Sequence, residues 1–323
     1  MSRTRTTLLN TLALLLALGA CLAIATSQRG VAVATRGPSE DAREVRDADG
    51  TAVPVRPYRR IASLSPIADA ILLETIPADR LVGLSGTMRE ALGDHRFSGI
   101  RSIDGASVEQ VLALDPDLVI VSGMADAGHV RQLRDAGVPV FRLGEMRGLA
   151  SFAEDARDVG TLVGAAEAGV ELAATLSRRM RAVAADVPLA GRPRGLYLGV
   201  IGRGLYGGAN GTSYHDVLLA AGLEDALEHM DSWPELTPEQ VLELDPDVVL
   251  LHPGTGASLC QRDGLAALRA CRRAPGTHLV EVQSGLLNDP GLGMLPCAER
   301  VRAAVHGAPR PPPSAPEEPS PHE

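Results

Sequence analysis

One stretch of this sequence occurs twice. Residues 107–121 read Ser-Val-Glu-Gln-Val-Leu-Ala-Leu-Asp-Pro-Asp-Leu-Val-Ile-Val, and residues 237–251 read Thr-Pro-Glu-Gln-Val-Leu-Glu-Leu-Asp-Pro-Asp-Val-Val-Leu-Leu, 130 positions later. Each copy opens on Ser or Thr with Gln three residues on, the capping box that satisfies two orphan amides at a helix start. A Pro-punctuated turn follows, then an unbroken apolar run, the pattern of a strand covered on both faces in a parallel sheet. A chain that carries this unit twice folds as two α/β lobes of one local design. Its 323 residues fit that count, at about 150 residues per domain.

The pattern continues around each copy. Residues 60–64, 81–84 and 138–143 read as further strands of the first lobe, and 195–201 and 278–282 as strands of the second. Ahead of them, residues 44–55 read as a small hairpin turning at Asp49-Gly50. Between the lobes, Phe152, Ala156, Val159, Val163, Ala166, Val170, Leu176, Met180 and Val183 recur at helical spacing, with no proline until Pro188. Unbroken, that is a helix of roughly 50 Å, although Gly160, Gly164 and Gly169 are places where it could break. The expected architecture is two Rossmann-like α/β lobes joined by a single long helix. Its divisions are a signal at 1–26, a tether at 27–43, a first lobe at 44–148, the interlobe helix at 149–188, a second lobe at 189–306 and a disordered Pro-rich tail at 307–323.

The N-terminus reads as an address. Arg3 and Arg5 precede an apolar run from Leu8 to Leu18, and Leu18-Gly19-Ala20-Cys21 resembles a bacterial lipobox, with cleavage before Cys21 and lipid attachment to it. A cut near Ala32-Val33-Ala34 and an uncleaved anchor continuing to Ala25 are alternatives, the latter at the lower limit for a span. All three place the folded part beyond the cytoplasmic membrane, in the periplasm or on the outer face of the cell membrane. There one pair among Cys260, Cys271 and Cys297 is expected to bond; Cys260 with Cys271 is the local choice, though sequence alone leaves the pairing open.

Composition removes several chemistries. All 31 basic residues are Arg and none is Lys, so there is no Walker A, Schiff-base or kinase lysine. A net charge of −9 without a basic stripe argues against a nucleic-acid partner. The run Gly202-Arg203-Gly204-Leu205-Tyr206-Gly207 follows a strand as a dinucleotide motif would, but the next helix start falls later, at Thr212 or Ser213, and no acidic residue follows a second strand at the required distance of about 20 positions. His95, His129, His215 and His252 show no metal-ligand spacing, and Ser65, His252 and Asp104 have no nucleophile elbow to make them a triad. No catalytic residue, resident metal or cofactor is expected. A bare metal-ion binder, an exported sensor and, more remotely, an extracellular enzyme are the alternatives.

Ligands of open α/β sheets sit beyond the carboxyl ends of the strands. Here those ends are the loops 63–66, 85–88, 122–124, 202–211 and 252–256, rich in Ser, Gly and Thr. They make Ser65, Met124, Tyr206, Asn210 and His252 candidate ligand contacts; for Ser65 the competing role is a helix N-cap, and for Tyr206 and Tyr214 it is core packing.

With Asp47-Ala48-Asp49-Gly50 leading to Ile61-Ala62-Ser63-Leu64-Ser65-Pro66, the two repeats, the helical stretch between them and residues 212–222, the chain resembles the substrate-binding proteins of ABC importers for iron complexes, haem and cobalamin. The resemblance runs from about Asp47 to Val305. It implies a monomer that captures ligand between its lobes, with little hinge motion and no covalent chemistry, then delivers it to a permease dimer with its ATPase. It implies that Glu109 and Glu239, one per lobe, dock on permease arginines; their alternative role is to stabilise a helix dipole. It also implies that Trp233 stacks on ligand as in cobalamin binders, whereas Ile103 and Thr87 stand where those relatives carry aromatic residues. The expected cargo is a metal chelate, with ferric siderophore first, corrinoid second and haem third.

Overall fold

The computed structural model describes residues 44–307 except 87–93, 104, 263, 273–277 and 288–289. The export signal, Cys21, the tether, Thr87 and the chain beyond Gly307 lie outside the described residues. Strands β1 (Glu44–Arg46) and β2 (Ala52–Pro54) pair antiparallel about the expected turn, where Gly50 takes φ +78°. Buried Asp47 ties this hairpin to the first lobe: one carboxylate oxygen accepts the Asp49 and Thr51 amides, and the other accepts Arg134 at 2.5 Å.

The first lobe runs β3 (Ile61–Leu64), α1 (Pro66–Thr75), β4 (Leu81–Leu84), β5 (Arg101–Ser102), α2 (Val108–Leu112), β6 (Leu118–Val121), α3 (Ala127–Asp135) and β7 (Val140–Arg142). Its sheet is parallel throughout, in the order β5-β4-β3-β6-β7. After α4 (Leu149–Leu162) and α5 (Ala166–Ala182) come β8 (Arg194–Ile201), β9 (Gly204–Gly207), α6 (Ser213–Ala220), β10 (Glu224–Asp225), β11 (Glu235–Leu236), α7 (Pro238–Leu244), β12 (Val248–Leu251), α8 (Gly256–Cys260), β13 (Leu279–Glu281), α9 (Ser284–Leu287) and α10 (Met294–His306). The second sheet has the order β11-β9-β8-β12-β13 with β10 beside β8, and only β9 runs against the other strands.

The repeat folds alike in both lobes. Ser107 with Gln110 and Thr237 with Gln240 complete their capping boxes. In the Asp-Pro-Asp turn the first acid takes a left-handed backbone, φ +48° at Asp115 and +38° at Asp245. The second acid receives the amides that start the adjoining strand: Asp117 accepts Arg59 and Arg60, and Asp247 accepts Arg194.

The interlobe stretch corrects the expectation of one continuous helix across 149–188. It divides into α4 and α5 at Gly164, whose φ of +77° turns the chain. Arg80 donates to the Val163 carbonyl at 2.9 Å and so caps the end of α4. The two helices then pack backbone to backbone: a Cβ on Gly169 would lie 2.1 Å from the Ala156 carbonyl oxygen. Only α5, about 25 Å long at 1.5 Å per residue, joins the lobes, packing on α1 and α4 on one side and on α6 and α10 on the other.

One apolar core follows that path from Ile61 and Ile71 through Phe152 and Leu176 to Val217 and Val301, and each lobe has a second core on the far face of its sheet. The lobes also touch directly. The Leu149 amide at the start of α4 donates to Asp216 Oδ2 on α6 at 2.6 Å, beside Gly148 at φ +75°, where a Cβ would lie 2.2 Å from the same oxygen. Cys260 and Cys271 form a disulfide with Cα atoms 5.7 Å apart, and Cys297 is buried in α10. Among the described residues no helix is long and apolar enough to cross a membrane.

Candidate functional site

The second lobe gathers three of its four tyrosine and tryptophan side chains at one place. Tyr197 on β8 and Tyr214 on α6 stack with ring centroids 3.4 Å apart and planes within 4°. Gly208 lets them close, since a Cβ there would meet Tyr214 at 2.6 Å and Tyr197 at 2.9 Å. Trp233 stands edge-on to Tyr214 at 5.1 Å and is 50 % exposed, so it offers an aromatic face to solvent while its neighbours are buried. Such perpendicular packing suits the ring quadrupoles. His252, at the carboxyl end of β12, lies edge-on to Tyr197 at 6.2 Å. Burial lowers the pKa of His252 and raises those of both tyrosines, so all three rings are neutral near pH 7.

The segment carrying Trp233 is held by a short backbone ladder. The Ala209 and Asn210 amides donate to the Ser232 and Met230 carbonyls, the Ser232 amide returns a bond to Asn210, and Asn210 Nδ2 donates to Asp231 at 3.0 Å. Ser232 pays for this turn with φ +61°, a left-handed backbone that L residues seldom adopt.

The first lobe presents small residues held by buried carboxylates. Asp69 on α1 accepts the Ser85 hydroxyl at 2.6 Å together with the Ser85 and Gly86 amides, fixing the loop after β4. Asp155 on α4 accepts the Gly144 amide after β7. Neither has a cationic partner among the described residues, and burial pushes their pKa values up to about 6 and about 7. Arg142 donates to the Gly123 and Ala125 carbonyls and steadies the loop carrying Met124, 77 % exposed. A hollow of about 220 Å³ opens at these strand ends, lined by Leu64, Ser85, Ile103, Val121, Asp126 and His129 among others.

The candidates therefore separate. Trp233, His252, Asn210 and Met124 lie at strand-end loops. Tyr206 lies over its own hairpin, its ring 2.6 Å from where a Gly204 Cβ would be. Ser65 is wholly buried as the N-cap of α1, accepting the Ala68 amide, with its carbonyl bonded to Ser63, and so fills the cap role weighed beside ligand contact. Ile103 is a core residue that reaches the hollow from below. Asp104 lies outside the described residues, and Ser65 makes no contact with His252. Two contributors were missed: Tyr197, concealed in an otherwise apolar strand, and Ser284, whose hydroxyl is 3.3 Å from His252 Nδ1. A polar-tipped aromatic two residues before Gly199 was the available signal for Tyr197. No cluster of three His, Cys, Asp or Glu side chains fit to hold a metal ion forms among the described residues.

Glu109 and Glu239 occupy equivalent places, exposed in the first turns of α2 and α7. Both carboxyls sit below the usual range: Glu109 chiefly through the Ser107 hydroxyl, Glu239 chiefly through its own amide and then the Thr237 hydroxyl.

The family profile described as periplasmic binding protein matches residues 61–277. A cobalamin-binding protein of Halobacterium salinarum is 28 % identical over 276 residues, covering 80 % of this chain and 73 % of that protein. An uncharacterized ABC transporter substrate-binding lipoprotein of Bacillus subtilis is 20 % identical, covering 77 % of this chain and 80 % of its own. Among solved structures, the apo form of a periplasmic haem-binding protein from Roseiflexus sp. RS-1 superposes with a TM-score of 0.64 at 22 % identity, covering 76 % of this chain and 98 % of its own. Two lobes each built on a largely parallel sheet, a helix packed on both, and a profile match across most of both lobes lead to one assignment: this chain belongs to the periplasmic binding protein family.

Proposed function

We propose that this protein is the substrate-binding component of an ABC importer, working outside the cytoplasmic membrane, and that it captures a metal chelate at the strand ends between its lobes, a corrinoid ahead of a ferric siderophore. The observation that carries this reading is the half-exposed Trp233, braced edge-on by buried Tyr214 and held by the Asn210–Asp231 ladder. Aromatic faces and the exposed thioether of Met124 suit a large, largely apolar macrocycle, and the Halobacterium relative is named for cobalamin binding. No covalent step enters this reading: the work is binding, holding and release.

Glu109 and Glu239 would dock the two lobes on the permease, as two acids in equivalent positions suit a two-fold partner and would tune its association rate and salt dependence. Cys21 would carry the lipid anchor. A fluorescence titration tests the ligand, because Trp233 is the only tryptophan in the chain. Saturable quenching by a corrinoid and not by ferric siderophores is expected; quenching by siderophores alone would reverse the order, and quenching by neither would remove Trp233 from the site. For docking, a Glu109→Ala/Glu239→Ala variant should bind ligand normally and fail to support uptake; normal uptake would end that part of the proposal.

A further inference from the structure

Three side chains of the second lobe, Tyr197, His252 and Ser284, are joined in one hydrogen-bonded chain, and the Tyr214 ring stacks on Tyr197 at its buried end. The Tyr197 phenol lies 3.2 Å from His252 Nε2, and His252 Nδ1 lies 3.3 Å from Ser284 Oγ. A neutral imidazole has one donor nitrogen and one acceptor nitrogen. In one tautomer, Tyr197 O–H donates to Nε2 and Nδ1–H donates to Ser284. In the other, Ser284 O–H donates to Nδ1 and Nε2–H donates to Tyr197. Either way both ring nitrogens are engaged by protein.

That is unlike a metal-binding histidine, which bonds its surroundings through one nitrogen and leaves the other for the metal. The Tyr197 phenol is committed to this chain, and it and the stacked Tyr214 are almost fully buried, at 4 % and 5 % exposure. Of this aromatic cluster the member left exposed is Trp233, whose indole N–H donates only and cannot coordinate a metal.

We infer that the Tyr197–His252–Ser284 chain, with Tyr214 stacked on it, is a specificity device: it withholds the His252 imidazole and the buried phenols from the cargo's metal, so this lobe favours chelates whose metal already has a full coordination sphere over planar macrocycles with an open axial position. This rests on the reading that the cleft holds a metal chelate. It bears directly on choosing among the three cargoes, because a corrinoid with both axial positions filled and a hexadentate ferric siderophore satisfy it, whereas haem held only by its four ring nitrogens does not. It also suits a carrier, since release then requires no metal–protein bond to break. Tyr197 and Ser284 are on this account positioning residues, acting through His252.

The test uses the full chain with aquacobalamin, whose axial water is labile, and with haemin. Binding is read from Trp233 quenching and coordination from the visible spectrum of the metal. Wild type should bind aquacobalamin while its bands stay those of the aqua form. Tyr197→Phe keeps the ring stack but leaves Nε2 without a partner; it should shift the bands to those of an imidazole-ligated corrinoid and tighten binding about tenfold, and adding His252→Ala should cancel both effects. Imidazole or phenolate bands on the wild-type complex, abolished by His252→Ala, Tyr214→Phe or Tyr206→Phe, would overturn the inference while leaving the chelate reading intact. Ring 15N spectra of His252 in the ligand-free chain decide the withheld nitrogens independently of any cargo. Nitrogen shifts of a hydrogen-bonded imidazole, with the Nε2 shift displaced in Tyr197→Phe, are expected; an Nε2 shift that Tyr197→Phe leaves unchanged would refute it. Absence of quenching by both probes counts against the chelate reading alone.

Discussion

The two lobes share a helix–turn–strand unit and end their strands in opposite chemistry. In the first, loops of Ser and Gly are pinned from beneath by buried Asp69 and Asp155. In the second, four aromatic rings pack on one another and one of them stands half exposed. The difference teaches that the repeated unit is scaffold: its capping boxes and Asp-Pro-Asp turns fix where strands begin, while the residues just past the strands' far ends are left to differ. Ile103 and Trp233, each six residues before its glutamate, show how far they differ, one in a core and the other at the surface.

That pair supplies the sharpest way to break the comparison. Ile103→Ala should cost about 2–4 kcal/mol of stability through the cavity it leaves, with ligand affinity little changed. Trp233→Ala should do the reverse, weakening binding by about 2 kcal/mol, roughly thirtyfold, at unchanged stability. Denaturant unfolding and calorimetric titration of both variants decide it, and matching profiles for the two would show that the positions are not divided as described.

Next in size is the disulfide, which has no counterpart among the described residues of the first lobe. Replacing Cys260 and Cys271 by Ser should lower stability by about 2–3 kcal/mol, given the short loop they close. An unchanged urea midpoint would contradict that expectation.

The pH dependence belongs mainly to the first lobe. Burial raises Asp155 from 3.8 to about 7 and Asp69 to about 6, so the native chain keeps protons there that the unfolded chain has already lost. Stability contributed by these groups therefore rises as pH falls from 8 through 6 and levels off near 4. Melting temperatures taken across that range should show the rise, and Asp155→Asn should flatten it; parallel profiles for variant and wild type would place the effect elsewhere. Smallest are the helix caps. Ser65→Ala and Thr212→Ala each remove a side-chain acceptor from a helix start and should each cost about 1 kcal/mol, with ligand affinity unmoved by Ser65→Ala.

The repeat, the strands and the hairpin were legible because their determinants are local: a capping box and an Asp-Pro-Asp turn close within a few residues. The break between α4 and α5 was not, although Gly160, Gly164 and Gly169 marked it. Both helices bury their apolar stripe in the same core, so the periodicity carries across a turn that reverses the chain. Ser65 was ambiguous because Ser serves equally as cap or ligand contact, and only its burial separates the two. Tyr197 was hidden because a tyrosine in a central strand reads as one more apolar residue, until a stacked partner arrives from a helix 17 positions on.

The bond from the Leu149 amide to Asp216 puts the first turn of one lobe's helix under the care of the other lobe. Gly148 has no side chain with which to cap α4, and the close approach of Asp216 leaves no room for one. The seam between the lobes is thus also the end of a secondary-structure element. Prising them apart exposes a helix terminus as well as a surface, and neither half, cut free, would inherit a complete set of its own parts.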